Sequence, residues 1–185
     1  MTDATLITDR AQPAVRLERE LPDPPEVVWR ALTDRERLRD WFPCDVIVDG
    51  GEWRVGATIS FPFPPEVIEM TLTGEVLAVD APRALAFTWG EETLRFELTP
   101  QDGGTRLVLI DELSPPAAAR NAAGWDQCLD KLAGLDPVPD AWKKRFATYA
   151  PAFEPELGPQ EGPPAGYKGG DLMEDVLDAR ASSSP

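Results

Sequence analysis

The stretch AAGWDQCLDKLAGL, residues 122–135, reads as a helix, with a glycine and then a tryptophan near its middle. A helical glycine costs about 1 kcal/mol relative to alanine, so its small size or a close backbone approach has to be needed there. Extended upstream, SPPAAARN (114–121) opens with Ser114 as a cap residue and prolines in the first turn. The longer segment sets Ala118, Ala122, Trp125, Leu129 and Leu132 on one stripe. A stripe of this kind has to cover something. The expectation is a helix closing over a curved sheet, with Gly124 admitting the sheet or two short helices upstream and Trp125 projecting into the hollow.

Working outward, VRLEREL (15–21) alternates, with Val15, Leu17 and Leu21 on one face and Arg16, Glu18 and Glu20 on the other, which predicts a strand. PDPPEVVWRALTDRERLRDWF (22–42) predicts two short helices broken at Thr33-Asp34. Residues 44–63 hold two short strands around Asp49-Gly50-Gly51. Four more strands follow, punctuated at Asp80-Ala81-Pro82, Gly90-Glu91-Glu92 and Asp102-Gly103-Gly104. Alternation in each strand leaves one face wet and one covered, as in an antiparallel meander. The order of elements gives an α+β domain. Three parts result: an N-terminal arm, 1–14; the domain, 15–135; and an acidic, Pro/Gly-rich extension, 136–185. Within the extension, a short helix is expected near 141–150, a linker without fixed structure over 151–170, and a transient helix at DLMEDVLDAR (171–180).

Composition narrows the function. The chain has 185 residues, 42% of them hydrophobic, enough for one domain with a real core. Its net charge of −15 argues against a nucleic-acid backbone or an anionic membrane as partner, because both would be repelled. Cys44 and Cys128 lie far apart without CxxC spacing, and no signal peptide or long apolar run is visible, which points to reduced thiols and a cytoplasmic protein. The sequence contains no histidine, so Ser-His-Asp and Cys-His triads and histidine-held zinc sites are excluded.

PPEVVWRALTDRERLRDWF (24–42), ALAFTW (84–89), DGGTRLVL (102–109) and GWDQCLDKLAG (124–134), in this order, resemble the homologues of the heat-shock protein 90 ATPase activator. These form a branch of the START-like (SRPBCC) superfamily. The resemblance covers roughly residues 15–135 and implies a helix-grip fold. Such a fold is a curved antiparallel sheet wrapped around a long C-terminal helix, with two short helices after the first strand, enclosing an often apolar cavity. Two departures stand out. Asp23-Pro24 replaces the usual Ala-Pro before the first helix, and Asp111-Glu112 replaces a Thr-His pair late in the last strand, which removes any role resting on that histidine.

Inward phase nominates Phe61, Met70, Leu72, Trp89, Phe96 and Leu109 on the strands, with Trp41 from the short helices and Trp125 from the long one. The same residues also fit a simple core. Arg19 and Asp111 keep phase with apolar neighbours, so each has to stand at a wet strand end, find a structural partner or meet a ligand's polar group. Antiparallel neighbouring of the first and last strands keeps the two apart. Glu66, Glu69, Glu91 and Glu92 read as solvated turn residues.

The function expected is non-catalytic binding of a small apolar or amphipathic ligand between sheet and helix, with neither metal nor cofactor. Two alternatives stay open. One is a co-chaperone-type module that docks on a chaperone or other protein. The other is a cofactor-free cyclase or aromatase-like enzyme in which Arg19 or Asp111 polarises the substrate.

Overall fold

The computed structural model describes residues 4–168. The helix expected at 171–180 and the first three residues of the arm lie outside the described residues. Strands are β1 (Thr5–Ile7), β2 (Ala14–Leu21), β3 (Ile47–Val48), β4 (Thr58–Pro62), β5 (Thr71–Asp80), β6 (Ala84–Trp89), β7 (Glu92–Gln101) and β8 (Gly104–Glu112). Helices are α1 (Pro25–Thr33), α2 (Arg35–Leu38), α3 (Ala118–Leu132) and α4 (Ala141–Leu157).

All ladders are antiparallel, in the order β1-β2-β8-β7-β6-β5-β4-β3. The α+β class and the meander from β3 to β8 agree with the sequence pattern. The curved wrap does not. The sheet is open, with the two-residue β3 and the three-residue β1 as its edges, and it is neither closed nor strongly curled. Bulky rings fill the space under α3 instead. Phe42 lies 5.4 Å from both Trp41 and Trp125, and Trp41 is 6.1 Å from Phe96. Period-two alternation assigns faces to strands but carries no information on how far a sheet bends.

Two further differences concern the chain ends. A short strand, β1, lies in the expected arm, so the two short helices follow the second strand. In addition, α3 is not the last helix, because α4 runs on through Pro151 and Pro155 to Leu157. Both prolines are solvent-exposed and four residues apart, so the hydrogen bonds they delete fall on the wet side. Ala141, Trp142, Tyr149 and Phe153 are buried and hold α4 to the molecule.

Local chemistry sets the helix ends. Asp34 closes α1 and caps α2, its carboxylate accepting from Glu36 N at 3.1 Å. Ser114, expected to cap the long helix, makes no capping bond there. A 3-10 turn at Pro115–Ala117 precedes α3, and Gln160 Oε1 accepts from Ala119 N at 2.9 Å. That bond belongs to an ordered strap, residues 158–168, in the segment expected to lack structure. Glu161 N bonds Pro116 O at 2.8 Å, and Lys168 N bonds Val67 O at 2.9 Å. The strap therefore runs from the start of α3 to the β4–β5 connection.

Candidate functional site

Where the strap crosses, a cavity of about 440 Å³ lies off the N-terminal end of α3. Its apolar wall is Phe63, Ile68 and Met70 from the β4–β5 connection, Leu72 in β5, and Trp89 at the end of β6. Pro43 and, from the strap, Pro164 add to it, while Glu92, Ser114, Arg120 and Asn121 supply polar groups. Gln12 and Glu91 also line the cavity and are exposed, so it opens to solvent there.

Of the residues nominated by phase, Met70, Leu72 and Trp89 come together in this cavity. Trp41, Phe61, Phe96, Leu109 and Trp125 are buried in the core beneath it and do not line it. Leu109 sits between Leu17 and Phe96 in the ladders. Arg19 lies elsewhere: its guanidinium pairs with Asp126 and, at 3.0 Å, with Asp130, both on α3. Arg145 of α4 also binds Asp130, and the Tyr149 hydroxyl donates to Asp126. Arg19 thus has structural partners, and Leu107 is its cross-strand neighbour in β8, well away from Asp111. The i,i+4 spacing of Asp126 and Asp130 was the sequence signal for this network.

Asp111 is fully buried. Its Oδ2 accepts from Trp125 Nε1 at 2.9 Å and from Asn121 Nδ2 at 3.0 Å, while the same Asn121 amide donates to Glu92 Oε2 at 2.8 Å. One amide therefore bridges two carboxyl groups. Burial pushes the Glu92 carboxyl up to about 7, against the hydrogen bond from Asn121 and the nearby charge of Arg120, which favour ionisation. Asp111 is raised as well, by burial first and by the proximity of Glu92 second. Among the described residues, Asp111 Oδ1 and Trp89 Nε1 are buried polar atoms with no hydrogen-bond partner.

Glu92 is half-buried rather than a solvated turn residue; it keeps phase with Leu94, Phe96 and Leu98 along β7, and that is the signal for its inward position. Asn121, Ser114 and Pro164 carried no such pattern. Among the described residues, no group of three or more His, Cys, Asp and Glu side chains is placed to hold a metal, and both cysteines are buried.

Residues 23–135 match the family described as Activator of Hsp90 ATPase homolog 1-like protein. The chain belongs to that family. Activator of Hsp90 ATPase homolog 1-like proteins share the helix-grip, START-like (SRPBCC) fold with the solved structures this chain resembles. Conserved protein EF2215 from Enterococcus faecalis, whose function is described as unknown, is 23% identical with a TM-score of 0.68, over 82% of this chain and 91% of its own. CalU16 from Micromonospora echinospora is 21% identical with a TM-score of 0.64, over 82% of this chain and 95% of its own. MLL2253 from Mesorhizobium loti is 27% identical with a TM-score of 0.58, over 65% of this chain and 94% of its own. A comparison with curated proteins found no match. No helix among the described residues is long and apolar enough to cross a membrane.

Proposed function

We propose that the domain binds a small amphipathic molecule in the cavity under the strap and performs no chemistry on it. The observation that carries this reading is the cavity itself. At about 440 Å³ it lies within the usual range for small-molecule sites, and it joins an apolar wall of Phe63, Ile68, Met70, Leu72 and Trp89 to a polar end at Glu92 and Asn121. The core aromatics contribute by filling the space beneath the middle of α3. The ligand's apolar part packs on Met70, Leu72 and Trp89. Family membership and fold agree with a ligand-binding module.

The cyclase-like alternative is disfavoured by Arg19, which is committed to Asp126 and Asp130 and does not reach the cavity. Titration of apolar probes of graded length against tryptophan emission tests the proposal. One saturable site is expected, and Met70→Ala should shift the preferred probe to a longer one. Phe96→Ala, in the core rather than the wall, should lower stability without shifting the preferred length. Absence of saturation with every probe would overturn the reading.

A further inference from the structure

Resting on the binding reading above, we propose that the preferred occupant of this cavity is an amphipathic organic cation, a primary amine on an apolar body, with its ammonium group seated against Glu92. Charge balance is the basis. Glu92 and Asp111 are tied into one hydrogen-bonded unit by Asn121, which places two carboxyl groups in a poorly hydrated corner. The charged groups facing this unit are Arg120 from α3, Glu112 from β8 and Glu91 from the turn before β7. Glu112 is held by Arg10 at 3.0 Å and Arg95 at 3.3 Å, so those two guanidiniums are occupied with a different carboxylate. Arg120 is the one cation facing the pair among the described residues; its Nε donates to Asn121 Oδ1 at 3.5 Å and its Nη1 to Gly162 O of the strap at 3.2 Å, and it makes no ion pair with either carboxyl.

A corner with two carboxyls and one guanidinium stays neutral only by retaining a proton or by accepting a cation. An ammonium brings the missing positive charge and three donors. The wall suits the rest of such a molecule. Met70, Leu72, Phe63 and Trp89 accept an alkyl or aryl body. A carboxylate or phosphate ligand would meet the acidic pair and be repelled. A neutral alcohol would leave the retained proton in place and gain nothing from the pair.

The upward displacement of the Glu92 carboxyl to about 7 gives the proposal a pH signature. Below that value Glu92 holds its proton and an ammonium gains little; above it the ionised Glu92 pairs with an amine that is itself still protonated.

Decylamine, decanol and decanoate, which differ only in the head group, are titrated calorimetrically into the full chain. At about pH 8, decylamine should bind at least about tenfold more tightly than decanol, a difference of about 1.4 kcal/mol. The preference should shrink toward parity near pH 5, where carboxyls raised in this way are protonated. Glu92→Gln should abolish the preference, bringing decylamine and decanol to parity. Glu36→Gln, which removes an exposed carboxylate on α2, should leave the preference unchanged and so excludes general attraction to an acidic protein. Equal binding of decylamine and decanol, tighter binding of decanoate, or an amine preference that survives Glu92→Gln would overturn the cation proposal while leaving ligand binding standing. Failure of all three compounds to bind would overturn both.

Discussion

Gly74 shows how a single missing side chain shapes the sheet. A Cβ built there would lie 1.9 Å from Thr88 O and 3.0 Å from the Phe61 ring, a contact that neither backbone nor ring can relieve cheaply. Gly74→Ala should therefore cost about 3 kcal/mol or more in urea denaturation, near the upper end for overpacking. Gly124 is also buried, and the Trp142 indole of α4 bonds Arg120 O, one helical turn before it, at 3.3 Å. Helix α4 therefore packs on this part of α3; the sequence predicts a helix near 141–150 but names the sheet or the two short helices as the neighbours of Gly124. Gly124→Val should destabilise by about 1 to 3 kcal/mol despite valine's better helix propensity, and an unchanged denaturation midpoint would mean the glycine is incidental. Glu92 makes a prediction of opposite character. Its carboxyl rises from 4.5 to about 7 on folding, so between those values the folded chain holds a proton that the unfolded chain has released. Stability contributed by this group is therefore complete below about pH 4.5 and lost as the pH rises through about 7. Denaturation curves across this window should show a flatter loss of stability for Glu92→Gln than for the parent, and identical slopes would count against a raised carboxyl.

At the scale of elements, α4 is held by chemistry rather than propensity. Two interior prolines should break it, each at a cost of about 3 kcal/mol relative to alanine in a helix interior. Against this cost stand the buried Trp142, Tyr149 and Phe153 and a charged network in which Arg19 of β2, Asp126 and Asp130 of α3 and Arg145 of α4 meet. The Tyr149 hydroxyl also accepts from Ala4 N at 3.0 Å, adding the segment before β1 to the same cluster. Breaking such a network from one side strands the remaining charges in a dry environment. Asp126→Ala should thus lower stability by about 3 to 5 kcal/mol, and far-UV circular dichroism should register the loss of α4 before the sheet melts. A loss below about 1 kcal/mol would place the pairs among weak, solvent-screened ones.

For the whole molecule, the strap joins two parts that sequence order keeps apart, the start of α3 and the β4–β5 connection. Removing residues 158–185 deletes the Gln160 cap on α3 and the Pro164 wall of the cavity. The cap alone is worth about 1 kcal/mol, so Tm should fall by about 2 to 4 °C. Probe release should also accelerate in stopped-flow measurements, since one wall of the site is gone. Unchanged Tm and unchanged release together would show that the strap neither stabilises the domain nor contains the ligand.

Much of the architecture was legible in the residues because it depends on short-range periodicity. Alternation through Leu85, Phe87 and Trp89, and through Leu94, Phe96 and Leu98, determined which faces of β6 and β7 turn inward, and the 3.6-residue stripe through Trp125 determined that α3 covers them. Glu92 lies on the inward phase of β7 and was readable by the same rule. The sequence alone thus determined the succession of β2 to β8, their faces and the covering helix. Tertiary structure decided how open the sheet is, because side-chain volume under α3 rather than alternation sets that. It also decided that α4 persists through Pro151 and Pro155, because burial of distant partners outweighs local propensity. The candidate site belongs to this second group. Met70, Trp89, Glu92, Asn121 and Pro164 come from five separate segments, and only the packing of the β4–β5 connection, β6, β7, α3 and the strap brings them around one void.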